Sequence, residues 1–255
     1  MSIFGELASN ASYQLNHQAR CLAALEGDTD RNRFLVASLV LRDKNELHVL
    51  DFNEDTNEIC CQRIYTHPSE IWGLSSCPVP ERQELLMTTH STGIEQRTSL
   101  WRMDGIAEHG EEALIGAPEE TPQPVPTPEP MSELLQLGGP MPPGDCCGVL
   151  WNTLLSEKIA TVQRSQARLW QLSHGSSSFA AAEISAVACP VDEGFSCGHW
   201  DPHHAHSIAL ATAGGGLFTL DARCMKFGTA QVRRLHFYAG ACRGVTLLPA
   251  QFSSQ

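Results

Sequence analysis

The densest cluster of chemistry-bearing side chains is Cys197-Gly-His199-Trp-Asp201-Pro-His203-His204-Ala-His206. A thiolate, several imidazoles and a carboxylate so close together are the donor types that ligate zinc. Their spacing, however, matches neither a Cys-x-x-Cys pair nor a helical His-x-x-x-His arrangement. Pro202 and the surrounding strand-like pattern place them around a turn, so a structural loop is expected and no metal site is assigned. Gly214-Gly-Gly216 could suggest a phosphate cradle, but that chemistry needs a following helix and a Lys-Ser/Thr step, and neither is present. A tight turn between two strands is the simpler expectation. No Ser- or Cys-centred nucleophile motif occurs, so no catalytic residue, cofactor or enzymatic activity is expected. The ten cysteines include two vicinal pairs, Cys60-Cys61 and Cys146-Cys147, in a chain with no export signal. Reduced thiols acting as small apolar side chains follow from that.

The elements that must carry these residues announce themselves by repetition. Leu47-His48-Val49-Leu50, Leu100-Trp101-Arg102-Met103, Leu169-Trp170-Gln171-Leu172 and Leu217-Phe218-Thr219-Leu220 are copies of one phrase, followed by Asp51, Asp104, Ser173 and Asp221. Propeller repeats of the WD type run about 40–45 residues and end their third strand on such an aromatic-plus-Asp signature. Trp101, Trp170, Phe218, Asp51, Asp104 and Asp221 are therefore read as structural repeat residues. Positions two and four of the phrase share one strand face and the leading Leu takes the other. Apolar groups on both faces suit sheets stacked between neighbours. Segments beginning at Ile71, Cys146 and Phe195 read as first strands, β-rich runs follow, and Glu58–Ile64 reads as a fourth, outer strand. The fold class expected is all-β, a WD-repeat β-propeller.

The interval from Trp101 to Trp170 exceeds the repeat length by about 25 residues. An insertion over residues 105–143 accounts for it, rich in Glu and in Pro and free of Lys and Arg. Proline removes backbone donors and like charges repel, so a solvated, extended and disordered loop is expected there, with docking of a partner as its sharper alternative. Composition narrows the partners. With 17 basic against 29 acidic residues the net charge is −12, which argues against sequence-independent nucleic-acid binding and against an anionic membrane surface. The longest strongly apolar run, residues 34–41, is far too short to span a bilayer.

Several motifs carry a family resemblance: Gln18-Ala-Arg20, Arg33-Phe-Leu-Val36, Glu46–Phe52, Glu70-Ile-Trp72, Leu100–Met103 and Trp200-Asp-Pro-His-His204. In order and spacing they resemble the N-terminal part of the WD-repeat family that interacts with the EARP and GARP vesicle-tethering complexes. The resemblance implies a seven-bladed, non-enzymatic propeller serving endosomal recycling and endosome-to-Golgi retrieval. It also implies tethering-complex subunits as protein partners and a cytoplasmic location, peripheral at the trans-Golgi network and endosomes. Against that pattern the phrase stops at Asp221. The organisation expected is an N-terminal arm at 1–17, blades one and two at 18–104, blades three and four at 144–223, and a divergent tail at 224–255. This describes an open, apparently truncated fragment of about four to five blades, unstable or oligomeric when purified. His67, Glu70 and Trp72, where the second blade begins, are the candidate partner-binding residues, since aromatic anchors dominate interface energetics; burial of Trp72 between blades is the competing reading. The alternatives in function are a substrate adaptor of ubiquitin-ligase or chromatin complexes, and a truncated isoform lacking independent function.

Overall fold

The computed structural model describes residues 11–40, 44–106, 126–175 and 178–228. Apart from one 3-10 turn at Pro80–Arg82, every regular element among them is a strand. Blade 1 consists of β1 (Ala19–Ala24), β2 (Asn32–Ser38), β3 (Asn45–Asn53) and β4 (Glu58–His67). Blade 2 takes β5 (Glu70–Ser76), β6 (Leu85–Ser91) and β7 (Gln96–Arg102). Its chain then passes through β8 (Glu129–Pro130), paired in parallel with β4 of blade 1, before completing blade 2 with β9 (Ser132–Gln136). Blade 3 is β10 (Cys146–Trp151), β11 (Lys158–Gln163), β12 (Gln166–His174) and β13 (Phe179–Ala188). Blade 4 is β14 (Phe195–Trp200), β15 (Ser207–Thr212), β16 (Leu217–Asp221) and β17 (Lys226–Phe227). Within each blade the strands follow one another as an antiparallel meander. The described chain is a partial β-propeller of four blades, and the ring phrase forms the third strand of each.

The repeat's two-faced hydrophobicity explains how the blades hold together. Leu35, Leu47 and Val49 of blade 1 close on Ile71, Leu86 and Met103 of blade 2. Leu85, Met87 and Leu100 of blade 2 close on Val149, Ile159, Trp170 and Leu172 of blade 3. Val162 and Leu169 of blade 3 close on Phe195, Ile208, Leu210 and Leu220 of blade 4. Strand alternation segregates the phrase as its period requires: Leu100 faces blade 3, while Met103 faces blade 1. Leu169 faces blade 4, while Trp170 and Leu172 face blade 2.

The insertion differs from its expected extent. Residues 107–125 lie outside the described residues, but 132–136 are not loop: they form the outer strand of blade 2. Leu134 and Leu135 of that strand, with Leu137 just beyond it, pack into the core shared by blades 2 and 3, a signal masked by averaging composition over the neighbouring prolines. The tail beyond residue 228 also lies outside the described residues.

One irregularity recurs and proves important for the rim. The register between the first and second strands breaks between Ala19 and Cys21, Ile71 and Gly73, Cys146 and Gly148, and Phe195 and Cys197. Each break leaves one extra residue on the inner strand: Arg20, Trp72, Cys147 and Ser196. A β-bulge of this kind re-aims its extra side chain and bends the strand. The outer strands carry a second series of bulges at Gln62, Leu134 and Ile184.

Candidate partner-binding site

Near the start of β5 the bulge turns Trp72 away from the ladder and towards blade 1. There the guanidinium of Arg20, the equivalent bulge residue of β1, lies over its ring at 3.8 Å from the centroid. A cation stacked on an indole contributes about 0.5–2 kcal/mol, depending on how dry the site is. The indole Nε1 donates to Glu70 Oε2 at 3.2 Å, so ring orientation is set from both sides. Trp72 is half-buried and Glu70 almost wholly buried.

His67 sits differently from the surface position expected of it. It is completely buried, packed 4.6 Å from the ring of Trp101 and 5.0 Å from that of His90. Its Nδ1 lies 2.7 Å from the carbonyl oxygen of Ser69 and its Nε2 3.5 Å from Thr88 Oγ1. Burial, aided by the neighbouring His90, pushes its pKa down to about 3, so the ring is neutral and part of the core. The physical reason is local. Strand β4 ends at His67, and the two-residue step to β5 folds it beneath the next blade. Of the three candidates, Trp72 therefore keeps accessible surface, Glu70 orients it, and His67 offers a partner nothing to touch. Arg20, which completes the cluster, carries no local signal in sequence, because its role depends on the bulge of a different blade.

The other bulge residues continue along successive inner strands. Cys147 Sγ donates to the carbonyl oxygen of Phe195 at 3.2 Å, and burial followed by the adjacent Cys146 pushes its pKa up to about 12. The thiol thus stays protonated and packs, without nucleophilic character. Ser196 Oγ donates to the carbonyl oxygen of Ala211.

The ring residues of the repeat sit one layer in. Trp101 Nε1 donates to Thr88 Oγ1 at 2.8 Å and Trp170 Nε1 to Thr161 Oγ1 at 3.0 Å. Phe218, without a donor, packs edge-on against Phe227. Asp51 accepts from Gln62 Nε2 and faces Arg31 at 3.6 Å. The carbonyl oxygen of Asp104 accepts from Tyr65 Oη, and Asp221 holds Arg223 through its carboxylate. In the His-rich segment, Asp201 directly follows β14 and its Oδ1 accepts from the backbone amides of His203 and His204, while His204 Nδ1 reaches Oδ2 at 2.9 Å. Slight burial pushes this carboxyl up, but the amides and the imidazole outweigh it and hold it below the usual range. Among the described residues no group of three or more His, Cys, Asp and Glu could hold a metal ion. Gly214–Gly216 closes the β15–β16 hairpin, with Gly215 at φ +82.

Residues 7–246 match a protein-family model described as the EIPR1 beta-propeller. The chain is 31% identical over 209 residues to an EARP-interacting protein homolog of Danio rerio, covering 79% of this chain and 51% of that one. It is 27% identical over 206 residues to EARP and GARP complex-interacting protein 1 of Homo sapiens, covering 79% and 51%. With WD repeat-containing protein DWA2 of Arabidopsis thaliana it shares 28% identity over 232 residues, 90% of this chain and 59% of the relative. The chain thus spans about half the length of the curated relatives it matches.

Proposed function

We propose that this chain, which belongs to the EIPR1 beta-propeller family, acts as a non-enzymatic WD-repeat scaffold. Its partners are subunits of the EARP and GARP vesicle-tethering complexes, in endosomal recycling and endosome-to-Golgi retrograde transport. The observation that carries this reading is the similarity, across most of the chain, to proteins named for interacting with those complexes. The all-strand architecture is in keeping with it: stacked blades present loops and bulged strand ends to a partner. The net charge of −12 disfavours direct adhesion to anionic lipid, so peripheral association with endosomes and the trans-Golgi network would run through the tethers. Among the described residues no helix is long and apolar enough to cross a membrane.

Within this scaffold Trp72 is the proposed anchor. A half-buried indole, held by a guanidinium on one face and a carboxylate at its N–H, loses little conformational freedom when a partner covers it. The test is affinity capture of tethering-complex subunits from cell extract with the wild-type chain and with Trp72→Ala. Capture by the wild type, reduced about tenfold or more in the variant, with a melting midpoint shifted by only a few degrees, is the expected result. Undiminished capture by the variant would move the contact elsewhere. Failure of the wild type to capture any tether subunit, with nuclear rather than punctate localisation, would favour the substrate-adaptor reading.

A further inference from the structure

Strand β13, the outer strand of blade 3, runs ten residues from Phe179 to Ala188. Among the described residues no strand pairs with its far side, and most of its side chains are exposed, Ile184 at 47%. Its sequence, Phe-Ala-Ala-Ala-Glu-Ile-Ser-Ala-Val-Ala, holds one charge and neither Lys nor Pro. An unpaired outer strand presents free N–H and C=O groups to any other strand, and proteins normally blunt such strands with Lys, Pro, shortness or a covering segment.

Blades 1 and 2 show that protection. Strand β4 carries Glu58 and Arg63, and its end is bridged by β8 through Tyr65 with Glu129 and Thr66 with Pro130. Strand β9 has five residues and follows Pro130 closely. On β13 the one charge, Glu183, is engaged by Arg168 Nη1 of the same blade at 3.2 Å. The bulge at Ile184 is its sole blunting device, and it thrusts an apolar side chain outward.

We propose that β13 is the surface through which two copies of this chain associate, pairing antiparallel, edge to edge, in a two-fold symmetric dimer. The strand is self-complementary in the register that places the dyad between Glu183 and Ile184. Phe179 of one copy then lies opposite Ala188 of the other, Ala180 opposite Val187, and Glu183 opposite Ile184. Phe179 and Val187 each meet an alanine, Ala181 and Ala182 meet Ala186 and Ser185, and no two carboxylates face each other, whereas a dyad on Glu183 itself would oppose like charges. A two-fold contact closes on itself, so assembly stops at the dimer. Pairing of this length buries on the order of 1,000 Å² in total, at the small end of specific interfaces, so the association is weak and concentration-dependent.

Sedimentation and light scattering of the full chain, from about 1 to about 100 µM, should show the mass rising towards twice that of one chain. An Ala182→Lys/Ser185→Lys variant places two lysines directly opposite each other on either side of the dyad. It is expected to weaken dimerisation about tenfold or more while leaving the melting midpoint of the monomer unchanged. An Ala182→Cys/Ser185→Cys variant should give a covalent dimer on mild oxidation, because these two positions face each other across the dyad; an Ala180→Cys/Ser185→Cys variant should not. A mass that stays monomeric across the range overturns the proposal. So does dimerisation undiminished by both Lys substitutions, which would place the contact on another surface, or growth without limit, which would exclude a closed pair.

Discussion

Thr88 shows how one hydroxyl can organise a blade. It accepts the indole N–H of Trp101 and lies 3.1 Å from His90 Nδ1, all within the core. Thr161 serves Trp170 in the same way, two residues beyond the ring's cross-strand partner Ile159. In blade 4 Phe218 has no N–H to satisfy, and the equivalent Thr212 instead accepts from the amide of Gly216 at 3.0 Å, locking the hairpin. Thr88→Val should therefore leave a buried indole donor unpaired and cost about 1–3 kcal/mol. Thr212→Val should cost less, since the turn amide can reach water; chemical denaturation of the two variants checks the order. His67 adds a pH dependence whose sign follows from its burial. The folded ring stays neutral down to about pH 3, whereas in the unfolded chain it takes up a proton near its ordinary 6.5. Its contribution is fully present above 6.5 and is lost as pH falls from 6.5 towards 3, by about 1.4 kcal/mol per pH unit. His90, also held low by burial with Glu133 opposing, acts in the same direction. His67→Gln should flatten the midpoint-versus-pH profile between pH 6.5 and 4; an unchanged slope would show that other groups set it. The sequence marks the ring positions, but the acceptor Thr88 and the burial of His67 depend on neighbouring strands and escape any local pattern.

At the scale of elements, hairpins are closed by short carboxylates and amides. Asp28, Asn152 and Asp201 each end the first hairpin's inner side and accept two backbone amides with one oxygen. Blade 2 uses the 3-10 turn at Pro80–Arg82 instead. Asp28 has a second duty. Its other oxygen pairs with Arg33 Nε, and both side chains are almost entirely buried. The guanidinium of Arg33 continues to Gln83 Oε1 at 2.6 Å and the carbonyl oxygen of Ile106 at 2.9 Å, pinning blade 1 to blade 2. Asp28→Ala should strand a buried cation and cost about 3–5 kcal/mol. Asp201→Ala, at a turn without a buried charge, should cost about 1 kcal/mol. Comparable losses in thermal melts of the two variants would contradict the pin. The strands themselves were legible because the ring phrase recurs in every blade and apolar, β-branched runs precede it in blades 2 to 4. The bulges at Arg20 and Trp72 were not, since one extra residue in a strand changes neither composition nor apolar count. Strand β9 was obscured by the prolines before it, although Leu134 and Leu135, with Leu137 just beyond, carry its signal.

For the molecule as a whole, four blades joined by three separate cores behave as a chain of nearest neighbours, and stability is set locally by how many faces each blade has covered. Strand β6 is buried on both faces throughout, and β11 almost throughout. Strand β15 alternates instead: Ile208, Leu210 and Thr212 are buried against blade 3, while Ser207, Ala209 and Ala211 remain half-exposed. Among the described residues, blade 4 thus has one apolar face supported by a neighbouring blade. Opening such a blade exposes one core, whereas opening blade 2 must break two. Local unfolding free energy should follow the same order. Hydrogen exchange followed by mass spectrometry should accordingly find the amides of β15 and β16 exchanging well before those of β6 and β11. Leu210→Ala, which opens a cavity in the core between blades 3 and 4, should cost about 2–5 kcal/mol there and accelerate exchange in blade 4 while blades 1 and 2 keep their protection. Leu86→Ala, in the core between blades 1 and 2, should leave blade 4 protection unchanged so long as blade 3 stays folded. Uniform protection across all four blades, or equal loss everywhere on either substitution, would mean that the propeller opens as one cooperative unit.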